Sequence, residues 1–552
     1  MPALMEQQGV AWQEDNFDWL ETIAQIAHKL GISILMQIIL DIDFANNSRN
    51  RLYISQQEFP LGAKASYQNK ENNPLMYIFR VETARQLKMY LKLDITLARK
   101  VAKDIVDFES MLAEGMADER DDLNMNEMYK ASTLEEAQAE YAPHMDLRKQ
   151  ATAILDTLPP NIEGYAMHGY LEQLFKTISK VPKSTVANYI FFQMLSRFVV
   201  DVDEREAKRQ DDCLNNMKKY FYKHLDNMFY HHEISNDTAE PVAEMWQLLK
   251  DSFQTSLQQL NWIQEGTRQK SIQKLQAMNQ DILNYEDHNL TKTYANLNLL
   301  DNDYLGNVRQ MLELGAASER AKVNEPPQVK KTASELSTSP AYMKLENAIK
   351  IPVVFLQPHT TFSKHFPNAY NFGTMGSVLA HELVHGFDKD GQYFDLKGNN
   401  RLWWDAESSA EFETHTKCLR DQYRGFIYEG QPLGDIPNQA ENIADNGGIR
   451  TAYLAYLKWS VEAAAENDQH KLKLKTLPGL SYNNRQLFFI SYGHLWCKQT
   501  LKAFKTSFAS MDTHVPSKFR VNGPLANLEE FSTEFKCPEG SNMNPVKKCK
   551  IY

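Results

Sequence analysis

The sequence predicts a mainly α-helical protein of more than one domain, with a small β component. Three observations carry this. A chain of 552 residues is longer than a single hydrophobic core usually serves. Apolar residues in its N-terminal half recur mainly at helical spacing. In its C-terminal half, an apolar run holds two histidines one helical turn apart, His381 and His385. With 43% hydrophobic and 24% charged residues the composition is that of a soluble globular protein. A net charge of −11 and the lack of any basic run exclude a nucleic-acid-binding surface. Neither low-complexity segments nor repeats are present.

Taken in order, Met1 to Gln8 has neither the basic start nor the apolar core of a signal peptide. Phe17, Leu20, Ile23, Ile26, Ala27 and Leu30 lie on one helical face, and Gly31 is placed to end that helix. Gly31 to Leu40 is apolar but too short to span a bilayer, so it reads as a buried strand. The pattern predicts helices over 171–178 and 184–200, the second capped by Ser184, and two long helices over 242–284 joined near Trp262. Their aromatic and methionine stripes read as core. Residues 321–339, rich in Pro, Lys, Ser and Thr, read as a polar linker. Beyond it, Asn347 to Phe355 is a candidate strand and Asn484 to Cys497 a candidate helix. Sequons at Asn46, Asn236 and Asn289 permit glycosylation in a secretory compartment.

The chemistry concentrates in Gly376-Ser-Val-Leu-Ala-His381-Glu382-Leu-Val-His385-Gly-Phe-Asp388. On a helix, His381 and His385 project from one face and can share a metal ion. Glu382, beside the first histidine, can reach a water at the metal without itself binding it. A third ligand is needed, and Glu441 is a candidate. The E-x-x-x-D spacing puts Asp445 on the same helical face as Glu441. There Asp445 can accept the free N–H of a metal-bound imidazole, and we count it among the catalytic residues on that account. Asp388 can serve His385 in the same way. Two alternatives stand. Asn438 to Glu441 also fits a capping box, and Asp388-Lys-Asp390-Gly391 opens like a calcium loop but lacks the later ligands, so it reads as a turn.

These motifs, together with W-W-D, E-N-I-A-D-N-G-G, L-P-G-L, Q-L-F-F, L-W-C and the closing C-P-E-G-S-N-M-N-P-V-K-K-C-K-I-Y, resemble those of the neprilysin and endothelin-converting-enzyme family of zinc metallopeptidases. The resemblance implies a two-lobed fold. A large helical region over 1–320 and a linker at 321–339 would precede a gluzincin-like catalytic domain with a small sheet over 340–552. It implies one zinc ion per chain on His381, His385 and Glu441, with Glu382 as general base. His514 matches the family's transition-state histidine and Arg520 its substrate-binding arginine. A histidine can donate to an oxyanion and an arginine can clamp a carbonyl or carboxylate. Trp496 falls beside a side-chain pocket of the cleft. Ala341 and Tyr342 match a substrate-gripping Asn-Ala-Tyr strand whose asparagine is Pro340 here. Proline offers neither the amide side chain nor a backbone N–H.

The implied substrates are short peptides, cut on the amino side of an apolar residue inside a closed chamber. A catalytically weakened or inactive relative that binds peptides or a partner is the alternative, motivated by Pro340. Of the five cysteines, Cys418 and Cys549 match a family disulfide. Cys213, Cys497 and Cys537 match cysteines whose partners lie in an N-terminal segment without counterpart here, which favours an oxidising ancestry with missing partners over the alternative of buried free thiols in a reducing cytosol. The resemblance implies an extracellular or plasma-membrane ectodomain. With no transmembrane or leader segment recognisable in the chain, a shortened cytoplasmic form is the other expectation.

Overall fold

The computed structural model describes all residues except 69–72, 119–123, 160, 200–205, 235, 287, 330–337, 358–360, 466–476, 502–504, 506–508 and 510–511, and the side chains of 206–209, 236–238 and 465. Contacts divide the chain into two compact units, Met1–Leu214 with Thr291–Gln328, and Asn215–Leu290 with Val329–Tyr552. Residues 330–337 of the expected linker lie outside the described residues. Its start continues the helix Tyr304–Ala321 into a short 3₁₀ turn at Lys322–Asn324.

In the first unit, helix α1 (Trp19–Leu30) begins where the Asp18 carboxylate accepts the N–H groups of Leu20 and Glu21, at 2.9 and 3.2 Å. Gly31 ends it with φ 64°, a left-handed conformation that suits glycine. The strand expected from residue 31 starts later, as β1 (Met36–Ile42). The delay is caused by Leu35, whose φ of 66° breaks extended backbone. Side chains take both its peptide groups. Its N–H donates to Gln57 Oε1 at 2.6 Å, and its C=O accepts from Tyr170 Oη at 2.5 Å. β1 pairs antiparallel with β2 (Asn50–Gln56), in register Met36 to Gln56. Helix α2 (Ile95–Ala113), β3 (Lys130–Thr133), β4 (Glu163–Ala166) and helix α3 (Lys183–Ser196) are among the other elements of this unit, with sheet order β1-β2-β4-β3. Ser184 is inside α3 and does not cap it. Pro182 precedes the helix, its fixed φ already compatible with the helix start.

Glu109, on α2, is fully buried in this unit. It accepts hydrogen bonds from Tyr67 Oη (2.8 Å), Tyr189 Oη (3.0 Å) and Gln193 Nε2 (2.8 Å). Tyr189 in turn accepts from Gln57, the residue that holds Leu35.

In the second unit, helices α4 (Asn236–Gln259) and α5 (Glu265–Ala277) turn back on each other around Trp262. The helical pattern read to residue 284 ends at Ala277. Residues Asn279–Ile282 form β5, because they pair parallel with β7 and so find ladder partners there. β6 (Ala341–Met343) and β7 (Ala348–Ile351) complete a three-stranded sheet of order β5-β7-β6. The strand expected over 347–355 is shorter: Asn347 has a positive φ and Pro352 starts a 3₁₀ turn. The sheet packs beside α6 (Ser377–His385), and α7 (Ala406–Arg424), α8 (Ala440–Ala465), α9 (Asn484–Leu495) and α10 (Ser517–Asn527) follow. Cys418 on α7 is bridged to Cys549, while Cys213, Cys497 and Cys537 are free thiols. Among the described residues no helix is long and apolar enough to cross a membrane.

The Glu109 network predicts a pH dependence of stability. Burial raises the Glu109 pKa from 4.5 to about 7, and the Tyr67, Tyr189 and Gln193 hydrogen bonds only partly offset it. The folded state therefore holds a proton that the unfolded chain releases near 4.5. The stability this contributes is full below 4.5 and is lost as pH rises through about 7. Glu109→Gln mimics the protonated acid. Relative to that variant, the wild type should lose about 3 kcal/mol between pH 4.5 and 7.5, read as diverging melting temperatures. Parallel melting curves across that range would show that Glu109 is ionised throughout.

Candidate active site

Helix α6 is largely buried: Leu379, Ala380, Leu383 and Val384 are all 0% exposed, and Ser377, His381 and Glu382 are buried with them. A π-turn at Phe372–Gly376 leads into it, a feature periodicity does not reveal. Because the helix is buried, its two histidines point into the protein. His381 Nε2 and His385 Nε2 lie 3.0 Å apart. Glu441 Oε2, from the first turn of α8, lies 3.2 Å from the first and 3.5 Å from the second. For a tetrahedral zinc with bonds of ~2.1 Å, donor atoms would be roughly 3.4 Å apart, which these separations approach.

The outer nitrogens are turned toward carboxylates. His385 Nδ1 lies 2.6 Å from Asp388 Oδ2. His381 Nδ1 lies 2.9 Å from Asp445 Oδ1, with its N–H poorly aligned. The misalignment has a visible cause, since Arg520 holds both Asp445 oxygens, Nε to Oδ2 at 2.8 Å and Nη2 to Oδ1 at 2.6 Å. With Nδ1 carrying the proton, each Nε2 is left with a lone pair, and the two lone pairs face each other and a carboxylate. Glu441 Oε2 is buried and takes no hydrogen bond of normal geometry, although His514 Nε2 is 2.8 Å away. Two imidazole nitrogens and an orphaned carboxylate oxygen are the donor chemistry of a catalytic zinc site, so the residues fit that ion.

The remaining side chains surround this triangle. Glu382 is buried, and its Oε2 accepts the backbone N–H of Tyr342 on β6 at 2.9 Å. Burial pushes its carboxyl above the usual range, against the pull of His381 and His385. Burial also raises Asp445, but the Arg520 charge outweighs it and brings the group to about 2. Burial lowers the His514 pKa, but the neighbouring Asp512 and Glu441 carboxylates overcome it and hold the group at about 9. Its Nδ1 is 3.0 Å from Asp512 Oδ1, an orienting contact sequence reading missed although D-x-H was there to be seen. Arg520 stacks on Trp496, its Cζ 3.8 Å from the ring centroid, and leaves Nη1 as the nitrogen not engaged by Asp445. Ala341 pairs with Lys350 on the edge strand β6, preceded by a buried Pro340.

Both open alternatives resolve into local geometry. Asn438 does accept the Ala440 N–H, at 2.9 Å, yet the Glu441 carboxylate faces the histidines. Asp388 Oδ1 accepts the N–H groups of Asp390 (2.9 Å) and Gly391 (2.7 Å), so the segment is an Asx turn with its oxygens already used.

Helix α8 can approach α6 because Gly447 and Gly448 face it. A Cβ at Gly448 would lie 2.8 Å from His381 N and 2.9 Å from His381 Cα.

Profiles of "Peptidase family M13" match residues 1–286 and 340–551. The chain is 27% identical to "Membrane metallo-endopeptidase-like 1" of Mus musculus over 589 residues, covering 99% of this chain and 75% of that protein. It is 27% identical to "Neprilysin-2" of Drosophila melanogaster over 591 residues, covering 99% and 74%. Among solved structures it resembles the Mycobacterium tuberculosis zinc metalloprotease ZMP1 in complex with inhibitor, with TM-score 0.80 at 20% identity, over 97% of this chain and 84% of that one.

The glycine contact yields a prediction of inverted sign. Alanine for glycine inside a helix ordinarily stabilises by roughly 0.5–1 kcal/mol. Gly493→Ala on α9, whose nearest neighbour atom is 3.9 Å away, should follow that rule. Gly448→Ala should instead destabilise by about 1–3 kcal/mol, because backbone cannot yield as a side chain does. Thermal melting of both variants checks it. A stabilised Gly448→Ala would mean that the two helices are free to separate.

Proposed function

The chain belongs to peptidase family M13 and is a peptide-hydrolysing metalloendopeptidase, and from that premise we propose that its metal is zinc, held by His381, His385 and Glu441. The observation that supports this most directly is the convergence of two imidazole Nε2 atoms and the orphaned Glu441 Oε2 within 3.5 Å of one another. Asp388 and Asp445 orient the imidazoles and keep their protons on Nδ1. A zinc ion held there supplies a Lewis acid for the scissile carbonyl and lowers the pKa of water.

The protein's own residues do the rest. Glu382 takes the proton of the attacking water and passes it to the leaving amine, a role suited to a carboxylate whose pKa burial has raised. His514, steered by Asp512, donates to the oxyanion of the tetrahedral intermediate. Arg520 is held rigid between Asp445 and the Trp496 ring, so that Nη1 can bind a substrate carbonyl. Ala341, on the edge strand, presents backbone groups to an extended peptide. Substrates are short peptides cut on the amino side of an apolar residue. The functional boundaries proposed are a helical region over 1–320, a linker over 321–339 and a catalytic part over 340–552. The Cys418–Cys549 bridge supports an extracellular or cell-surface setting.

Three substitutions test these assignments. Glu441→Ala should strip most zinc from the protein during dialysis against a mild chelator, and full retention would remove it from the ligand set. Glu382→Gln should keep its zinc while turnover falls by at least ~10²–10⁴-fold. Near-normal turnover would assign the base elsewhere. Pro340→Asn restores a side-chain amide next to the substrate strand, so kcat/KM for a short peptide should rise by about 1–3 kcal/mol in transition-state binding. An unchanged value would show that this chain grips its substrate without that amide. If neither wild type nor Pro340→Asn cleaves any member of a peptide library that Glu382→Gln still binds, the protein is a peptide binder.

A further inference from the structure

Lys274, on α5, is 1% exposed and has no place in the chemistry described so far. Its Nζ donates to three backbone carbonyls, Gly386 (2.6 Å), Gly391 (2.9 Å) and Phe394 (2.6 Å). An ammonium has three N–H donors, and three are used. Burial draws its pKa down to about 7 against the pull of Asp388 and Asp395, but only the cation supplies all three donors. The aromatic rings of Tyr342, Phe387 and Trp403 surround the charge, with centroids 5.5 to 5.9 Å away.

The position of those carbonyls gives the lysine its significance. Gly386 follows His385 at the C-terminus of α6, where exposed carbonyls and the helix dipole favour a cation. Gly391 closes the Asx turn whose Asp388 carboxylate holds His385 Nδ1, and Phe394 lies just beyond it. The lysine thus ties together the chain on both sides of Asp388. A second path leads from the same residue. Its backbone C=O accepts from Asn347 Nδ2 (3.0 Å), Asn347 Oδ1 accepts from Tyr342 Oη (2.9 Å), and the Tyr342 N–H donates to Glu382.

We infer that Lys274 is a positioning residue of the metal centre, whose buried charge fixes the Asp388 turn and through it the orientation of His385. The inference rests on the zinc-site reading above. A purely structural role would predict lost stability with unchanged metal affinity. Arg268 supplies the comparison. It is a part-buried cation on the same helix that pairs with Glu265 and donates to the carbonyls of Leu257, Gln258, Leu260 and Ile263, all of them outside the 381–394 segment.

The experiment uses the full chain as wild type, Lys274→Met, Lys274→Arg and Arg268→Met. Zn²⁺ affinity is measured by competition with a chelator, and the metal-free proteins are melted in parallel. Lys274→Met should weaken zinc binding by about tenfold or more, the scale seen when a partner of a metal ligand is lost. Arg268→Met should lower the melting temperature and leave zinc affinity unchanged, and Lys274→Arg should restore affinity toward wild type. Unchanged affinity in Lys274→Met, an equal loss in Arg268→Met, or no rescue by arginine overturns the inference. So does a chain that folds with neither methionine nor arginine at 274, since the lysine then serves the core alone. A wild type that holds no zinc fails differently, because it removes the metal-centre reading itself.

Discussion

The candidate site depends on how closely α6 and α8 can approach. One helix carries both histidines and the other carries Glu441, so no donor set exists until the two backbones meet. They meet at Gly448, where there is no room for a Cβ against His381, and around them Leu379, Leu383, Ile443 and Ala444 are fully excluded from solvent. Apolar burial drives the contact and the glycines set its distance. The site is therefore a consequence of core packing, and its geometry is as stiff as the core.

Such a core then has to hold charge. Buried carboxylates and cations are costly unless each has partners. Here they are chained: Arg520 to Asp445 to His381 on one side, Lys274 through the Asp388 turn to His385 on the other. Each imidazole thus faces an anion that is itself anchored by a cation or by backbone amides. That arrangement favours the tautomer with the proton on each outer nitrogen, which leaves a lone pair on each inner one. The two sides are not equivalent, because Arg520 competes with His381 for Asp445, whereas Asp388 takes amides on one oxygen and His385 on the other.

In the proposed mechanism, peptide recognition and chemistry share this framework. β6 is an edge strand, and its Tyr342 N–H already reaches the Glu382 carboxylate. The strand that would meet substrate and the base that would activate water are hydrogen-bonded to each other. A shift of the strand would be felt at the base.

Much of this was legible in the sequence because helical spacing is a local property. H-E-x-x-H places two imidazoles on one face whatever the rest of the chain does, and E-x-x-x-D does the same for Glu441 and Asp445. The mainly helical fold, the helix over 19–30 and its glycine stop could be read for the same reason. What lay beyond local spacing had to wait for tertiary structure. Leu35 and Asn347 shorten their strands through positive φ values. At Leu35, side chains distant in sequence take the peptide groups that a strand would have used. Residues 279–282 leave their helical pattern because a strand some seventy residues away offers ladder partners. Lys274 belongs to no motif in the sequence. Only the fold brings it to Gly386, Gly391 and Phe394, since the pairing of a buried charge with distant carbonyls is decided by packing and leaves no periodic trace.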